Sequence, residues 1–112
     1  MNKIIVIAVL MFFSLQAYSD RYEASDDNLL KVQVSELGPT RIAFENKKIN
    51  DVFFYPEEAA VVDLYPSGVL FVMPNKNQKH VYITIMTDEG NAQDLRLKFA
   101  FMQPKPITLF DR

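Results

Sequence analysis

The stretch YITIMTDEGNAQDLRLKF, Tyr82 to Phe99, sets an Asp-Glu pair and a glycine between two alternating apolar runs. Ile83 and Ile85 before the pair, and Leu95, Leu97 and Phe99 after it, recur at every second residue. Successive side chains of an extended chain point to opposite faces, so this period reads as two strands. Gly90 and Asn91 accept positive backbone angles at little cost, which makes Asp88-Glu89-Gly90-Asn91 the tip of a hairpin. Paired carboxylates also serve as acid–base pairs and cation sites, so the remaining chain has to decide among the three.

Working outward, the same period recurs. LLKVQV alternates apolar residues with Lys31 and Gln33, and TRIAFEN places Ile42 and Phe44 on one face with Arg41, Ala43 and Glu45 on the other. INDVFFY, AVVDLY and GVLFVM follow, giving seven or eight short strands. Leu37-Gly38-Pro39, Tyr65-Pro66-Ser67-Gly68 and Met73-Pro74-Asn75 punctuate them with turn formers. Only Pro56-Glu57-Glu58-Ala59-Ala60 suits a helical turn, with proline at a first position and acids beside it. The predicted fold is all-β: an antiparallel β-sandwich, or small open barrel, over residues 29–112. Phe44, Phe54, Phe71 and Phe99 suit its core. Phe53 and Tyr55 fall on the face opposite Phe54, where two large rings mark a candidate contact surface.

At 112 residues the chain holds one domain. Lys3, the ten-residue apolar run Ile4 to Phe13, and Ala17-Tyr18-Ser19 make residues 1–19 a secretory signal peptide. The run is shorter than the roughly 20 residues of a permanent membrane helix. Residues 20–28, polar and acidic, read as a flexible lead-in. There is no cysteine, so an exported domain of this size holds together by packing alone. The net charge of −2 and the absence of a like-charge run argue against direct nucleic-acid binding. The expected compartment is the periplasm.

Catalytic chemistry finds little to work with. His80 is the one histidine, in a polar loop entering a strand. Zinc sites need several His or Cys ligands, and no Gly-x-Ser-x-Gly elbow surrounds a serine. The acids come as Asp26/Asp27, Glu57/Glu58 and Asp88/Glu89. Neighbours on a strand diverge, and DEGNAQD lacks the alternating acids of a calcium loop. No enzyme, metal or cofactor is expected, and the acid pair reads as a soluble hairpin tip.

Several segments in order carry a resemblance. Thr40-Arg41-Ile42 is followed by Ile49-Asn50-Asp51-Val52, by Val62-Asp63, and by Gly68-Val69-Leu70-Phe71-Val72-Met73-Pro74. Thr87-Asp88-Glu89-Gly90, Leu95-x-Leu97 and Pro104-Lys105-Pro106-Ile107-Thr108-Leu109 complete the series. The order resembles the N-terminal domain of the TraK family, periplasmic subunits of F-type conjugative type IV secretion systems. There a Gly-x-Leu-aromatic-Val-x-Pro strand and a Thr-Asp/Glu-x-Gly hairpin sit at similar distances.

The resemblance implies a scaffold that joins a lipoprotein and an envelope-spanning scaffold protein in a homo-oligomeric ring at the outer membrane. It implies no pore, and no strand here has the sustained lipid-facing alternation of a membrane barrel. Arg41, Asp63 and the Asp88–Gly90 tip match the motifs, as contact residues or simply as strand and turn positions. TraK-like chains continue into a second β-domain, whereas this sequence stops at Arg112. A truncated or split gene, a minimal version and a remnant all fit, and whether another chain supplies the second half stays open. The alternative is a stand-alone periplasmic module that holds a peptide or sugar on its aromatic face.

Overall fold

The computed structural model describes residues 20–111, so the signal peptide assigned to residues 1–19 lies outside the described residues. Nine strands form: β1 (Asp20–Glu23), β2 (Leu29–Ser35), β3 (Thr40–Phe44), β4 (Ile49–Tyr55), β5 (Ala60–Leu64), β6 (Leu70–Pro74), β7 (His80–Thr87), β8 (Ala92–Ala100) and β9 (Ile107–Phe110). A 3₁₀ turn, Glu57–Ala59, joins β4 to β5 where the sequence predicts a helical turn. One sheet runs β1-β9-β3-β6-β5 and the other β2-β8-β7-β4. They face each other as a sandwich, and neither closes into a barrel.

The inner faces are those that the alternation predicts. Val81, Ile83 and Ile85 of β7 meet Leu95, Leu97 and Phe99 of β8 on one sheet. Ile42, Phe44, Leu70, Val72, Ile107 and Leu109 oppose them on the other. Burying each of the larger side chains contributes about 1.5–3 kcal/mol. With no cysteine among the residues, this packing carries the stability.

Three features differ from the sequence-based expectation. The sheets are mixed: β1–β9, β2–β8 and β3–β9 are parallel, and β3–β6, β4–β7, β5–β6 and β7–β8 antiparallel. Only β5–β6 and β7–β8 join consecutive strands of the same sheet, so every other connection carries the chain across the sandwich. The expected lead-in begins with a strand, because Tyr22 turns inward against the core and Arg21 lies 4.6 Å from the Phe110 ring centroid while pairing with Glu45 at 2.7 Å. Phe71 stands on the outer face, between the inward Leu70 and Val72, and packs on Tyr65 with ring centroids 5.0 Å apart.

One polar side chain organises the core edge. Gln93 is 2% exposed. Its Oε1 accepts the Ser25 N–H at 2.6 Å, and its Nε2 donates to the carbonyls of Asn28 at 2.8 Å and Asp94 at 2.9 Å. It therefore fixes the segment that carries the chain from β1 to β2.

Candidate functional site

The Asp-Glu pair is the tip of the β7–β8 hairpin. Gly90 has φ +85°, and its N–H donates to the Thr87 carbonyl at 3.1 Å. The Thr87 N–H donates to the Asn91 carbonyl at 2.9 Å, and the Asn91 N–H to Thr87 Oγ1 at 3.2 Å. Asp88 has a further task. Its N–H donates to the Lys48 carbonyl at 3.0 Å, and its Oδ1 accepts the Lys48 N–H at 3.3 Å. The β5–β6 tip reaches the same place from the other sheet, where the Gly68 carbonyl accepts the Ile49 N–H at 3.2 Å. The crossing from β3 to β4 is thus gripped by one hairpin from each sheet. The adjoining Lys47 is almost wholly buried along its side chain, donates to Asn91 Oδ1 at 2.9 Å and pairs with Asp111. The hydrogen bond to Asp111 is the main reason its ammonium is held above its ordinary pKa.

An amide at position 88 keeps an acceptor oxygen for Lys48, and Glu89 is exposed. The double change Asp88→Asn, Glu89→Gln is therefore expected to lower stability by no more than about 1 kcal/mol, the range of exposed substitutions. A thermal melt measures it, and a larger loss would give the carboxylates a role beyond the turn.

The other candidate chemistry stays dispersed. Asp26/Asp27 lie between β1 and β2, and Glu57/Glu58 on the 3₁₀ turn, all exposed. Among the described residues no three His, Cys, Asp or Glu side chains gather as a metal-binding group. His80 sits on β7 opposite Lys98 of β8, and its pKa is lowered by desolvation and then by Arg96, Lys98 and Lys79. A shallow cleft of about 260 Å³ between Ala24–Asp26 and Asn91–Gln93 has Gln93, Asn91 and Asp111 in its wall, all already engaged in the contacts above.

The four candidate contact residues divide between the two outer faces. Phe53 and Tyr55 lie outside the four-stranded sheet on its edge strand β4, 57% and 75% exposed. Tyr82, half exposed, is paired across from Tyr55 and enlarges that aromatic face. Sequence reasoning passed over Tyr82, although its position between the inward Val81 and Ile83 marks it as outward. Arg41 and Asp63 lie outside the five-stranded sheet. Both are registered against Phe71, one from β3 and one from β5. Two strand spacings of about 4.8 Å separate them, so Phe71 stands between the charges and they form no ion pair.

The model of the TraK N-terminal domain matches residues 23–111. The chain belongs to the TraK N-terminal domain family. No match to the chain was found among curated proteins. In this TraK N-terminal domain, the two motif segments that carried the resemblance hold the Lys48 crossing through Gly68 and Asp88. Motif positions of that kind secure the fold. The outward faces are where sequence is free to encode a contact.

Proposed function

We infer that the protein is a structural subunit of a conjugative-transfer type IV secretion complex, acting through protein–protein contacts in the periplasm at the outer membrane. Family membership is the observation that carries this reading. Exposed aromatic side chains on the uncovered edge strand β4 support it, since an open edge and large rings are what a neighbouring protein uses. The partners are other subunits of the complex, a lipoprotein and an envelope-spanning scaffold protein, together with further copies of this chain. The work is binding, and no catalytic step is assigned.

The facing Tyr55 and Tyr82 side chains favour one second reading, a free module that holds a peptide or sugar on its aromatic face. Size fractionation of detergent-solubilised envelopes separates the two. The scaffold reading expects the native protein in a megadalton-scale particle with other transfer proteins. Recovery only as a free small protein overturns it and leaves the module.

A further inference from the structure

One row of side chains crosses the whole four-stranded sheet on its outer face. Lys31 of β2 is registered beside Arg96 of β8, Arg96 across from Tyr82 of β7, and Tyr82 across from Tyr55 of β4. Residues directly opposite in a ladder share a face, so the four project together, one for each strand spacing of about 4.8 Å. The row is cationic on the β2 side and aromatic on the β4 side. Its neighbours repeat that division: Lys98 lies two residues from Arg96 and opposite His80, and Phe53 two residues from Tyr55 and opposite Thr84.

No acid answers these cations. Among the described residues none of Lys31, Arg96 and Lys98 forms an ion pair, and Arg96 Nε is buried without a hydrogen-bond partner. Asp94, on the same face of β8, is engaged by the Thr84 hydroxyl. Asp51 lies farther along β4, and its Oδ1 accepts the Val52 N–H at 2.9 Å. The His80 imidazole, lowered in pKa by desolvation and then by Arg96, Lys98 and Lys79, registers the positive field that is left. A groove of about 280 Å³ runs between Lys31, Gln33, Arg96 and Lys98, and a second of about 310 Å³ lies beside Leu29, Tyr82, Thr84 and Asp94.

The two halves of the row suit two parts of one ligand. A guanidinium fork beside an ammonium takes a carboxylate through charge-assisted hydrogen bonds. A tyrosine ring offers a flat body with a negative face to the C–H side of a sugar ring, and its hydroxyl to the sugar's polar rim. We propose that the row binds an acidic glycan, the cell-wall strand, with a carboxylate on Lys31 and Arg96 and a sugar ring on Tyr82 and Tyr55. A phosphate polymer fits less well, because its affinity comes from many neutralised phosphates and three cations on a chain of net charge −2 supply few. The inference rests on the proposed function for its compartment, since in the periplasm the acidic glycan within reach is the cell wall. It goes beyond that function by giving the subunit a hold on the wall itself.

The test is co-sedimentation of the purified chain with isolated cell-wall sacculi, followed by titration with a soluble acidic muropeptide. The chain is expected to sediment with the sacculi. Lys31→Gln with Arg96→Gln is expected to weaken binding at least about tenfold, the loss of a charge-assisted pair. Tyr55→Ala with Tyr82→Ala is expected to weaken it about tenfold through the lost ring contacts. Lys31→Gln with Lys98→Gln, both fully outward, repeats the charge test without touching the half-buried Arg96. Arg41→Gln, a cation of the other sheet's outer face, is expected to leave binding unchanged, and circular dichroism melts confirm that each variant folds. His80 is the one histidine of the sequence, so its ring signals in NMR report the site directly and are expected to move as the muropeptide is added. Failure to sediment, still ring signals, or equal binding by the variants each overturns the site. Equal binding of polyglutamate shows charge attraction alone, and tighter binding of a single-stranded oligonucleotide shows a nucleic-acid face; either result also overturns it. A chain that binds sacculi but runs free of any large envelope particle overturns the scaffold function and leaves the glycan site standing. A chain found in the particle that ignores sacculi and muropeptide does the reverse.

Discussion

Gly68→Ala is expected to destabilise the domain by about 3 kcal/mol or more, and in the cell to lower its abundance sharply. Two costs add. Gly68 has φ +89°, and holding a residue with a side chain in that region costs about 1–3 kcal/mol. An added Cβ would also lie 2.6 Å from Lys48 Cβ and 2.8 Å from its Cα. The second contact is with backbone, so no rotamer change relieves it, and overpacking of this kind costs about 1–3 kcal/mol more. Relief requires the β5–β6 tip to retreat from Ile49, which gives up the Gly68 carbonyl bond at 3.2 Å. Chemical denaturation checks the size of the loss. Gly90→Ala serves as the comparison, since that tip shares a positive φ but has open space around it. If Gly68→Ala costs no more than Gly90→Ala, the close approach to Lys48 contributes nothing.

Gln93→Leu is the second large effect. The volume and the inward position suit leucine, and on β8 the neighbouring inward residues are Leu95 and Leu97. The loss is electrostatic. The Ser25 N–H and the Asn28 carbonyl would face an apolar side chain in place of the amide that now satisfies both. A group left unpaired in this way costs about 1–3 kcal/mol, so the two together are expected to cost about 2–6 kcal/mol. Hydrogen exchange gives the more specific readout. Amides of Tyr22 and Ala24 should lose protection first, because the freed segment is what returns the chain from β1. Equal loss of protection through β7 and β8 would show that Gln93 supports the whole core and not that crossing.

These two residues also show where sequence reasoning reached and where it stopped. The hairpins at Gly68 and at Asp88–Gly90 were legible because a two-strand turn is local: turn residues lie between two alternating runs, and the partners are neighbours in the chain. The crossings were not. Leu37-Gly38-Pro39 carries as strong a turn signal as Tyr65-Pro66-Ser67-Gly68, yet it leads β2 into the opposite sheet. A turn signal says that the chain reverses and leaves open which sheet receives it. Parallel partners such as β2 and β8 therefore had no local mark. Parity worked well within strands, since it placed Phe53 and Tyr55 outward correctly. Phe71, expected in the core, stands outward, because the inward positions of its strand belong to Leu70 and Val72. The same parity puts a glutamine at position 93 on the inner face, a signal that a buried amide was needed there. That Arg41 and Asp63 belong to a different outer face from Phe53 and Tyr55 followed only from the sheet assignment, which strand-by-strand alternation does not contain.

The strand pairing has a further consequence, for the order in which the molecule can be completed. In chain order β1 and β2 come first, and among the described residues their ladder partners, β9 and β8, come last. Neither early strand finds its place until nearly the whole domain is present, so closing those ladders costs the loop entropy of most of the chain. The β5–β6 and β7–β8 hairpins form locally and early, and topology of this kind slows the final step. During that interval the alternating apolar faces of Leu30, Val32 and Val34 remain unpaired. The two sheets are therefore tied together at both ends only when β8 and β9 take their places beside β2 and β1.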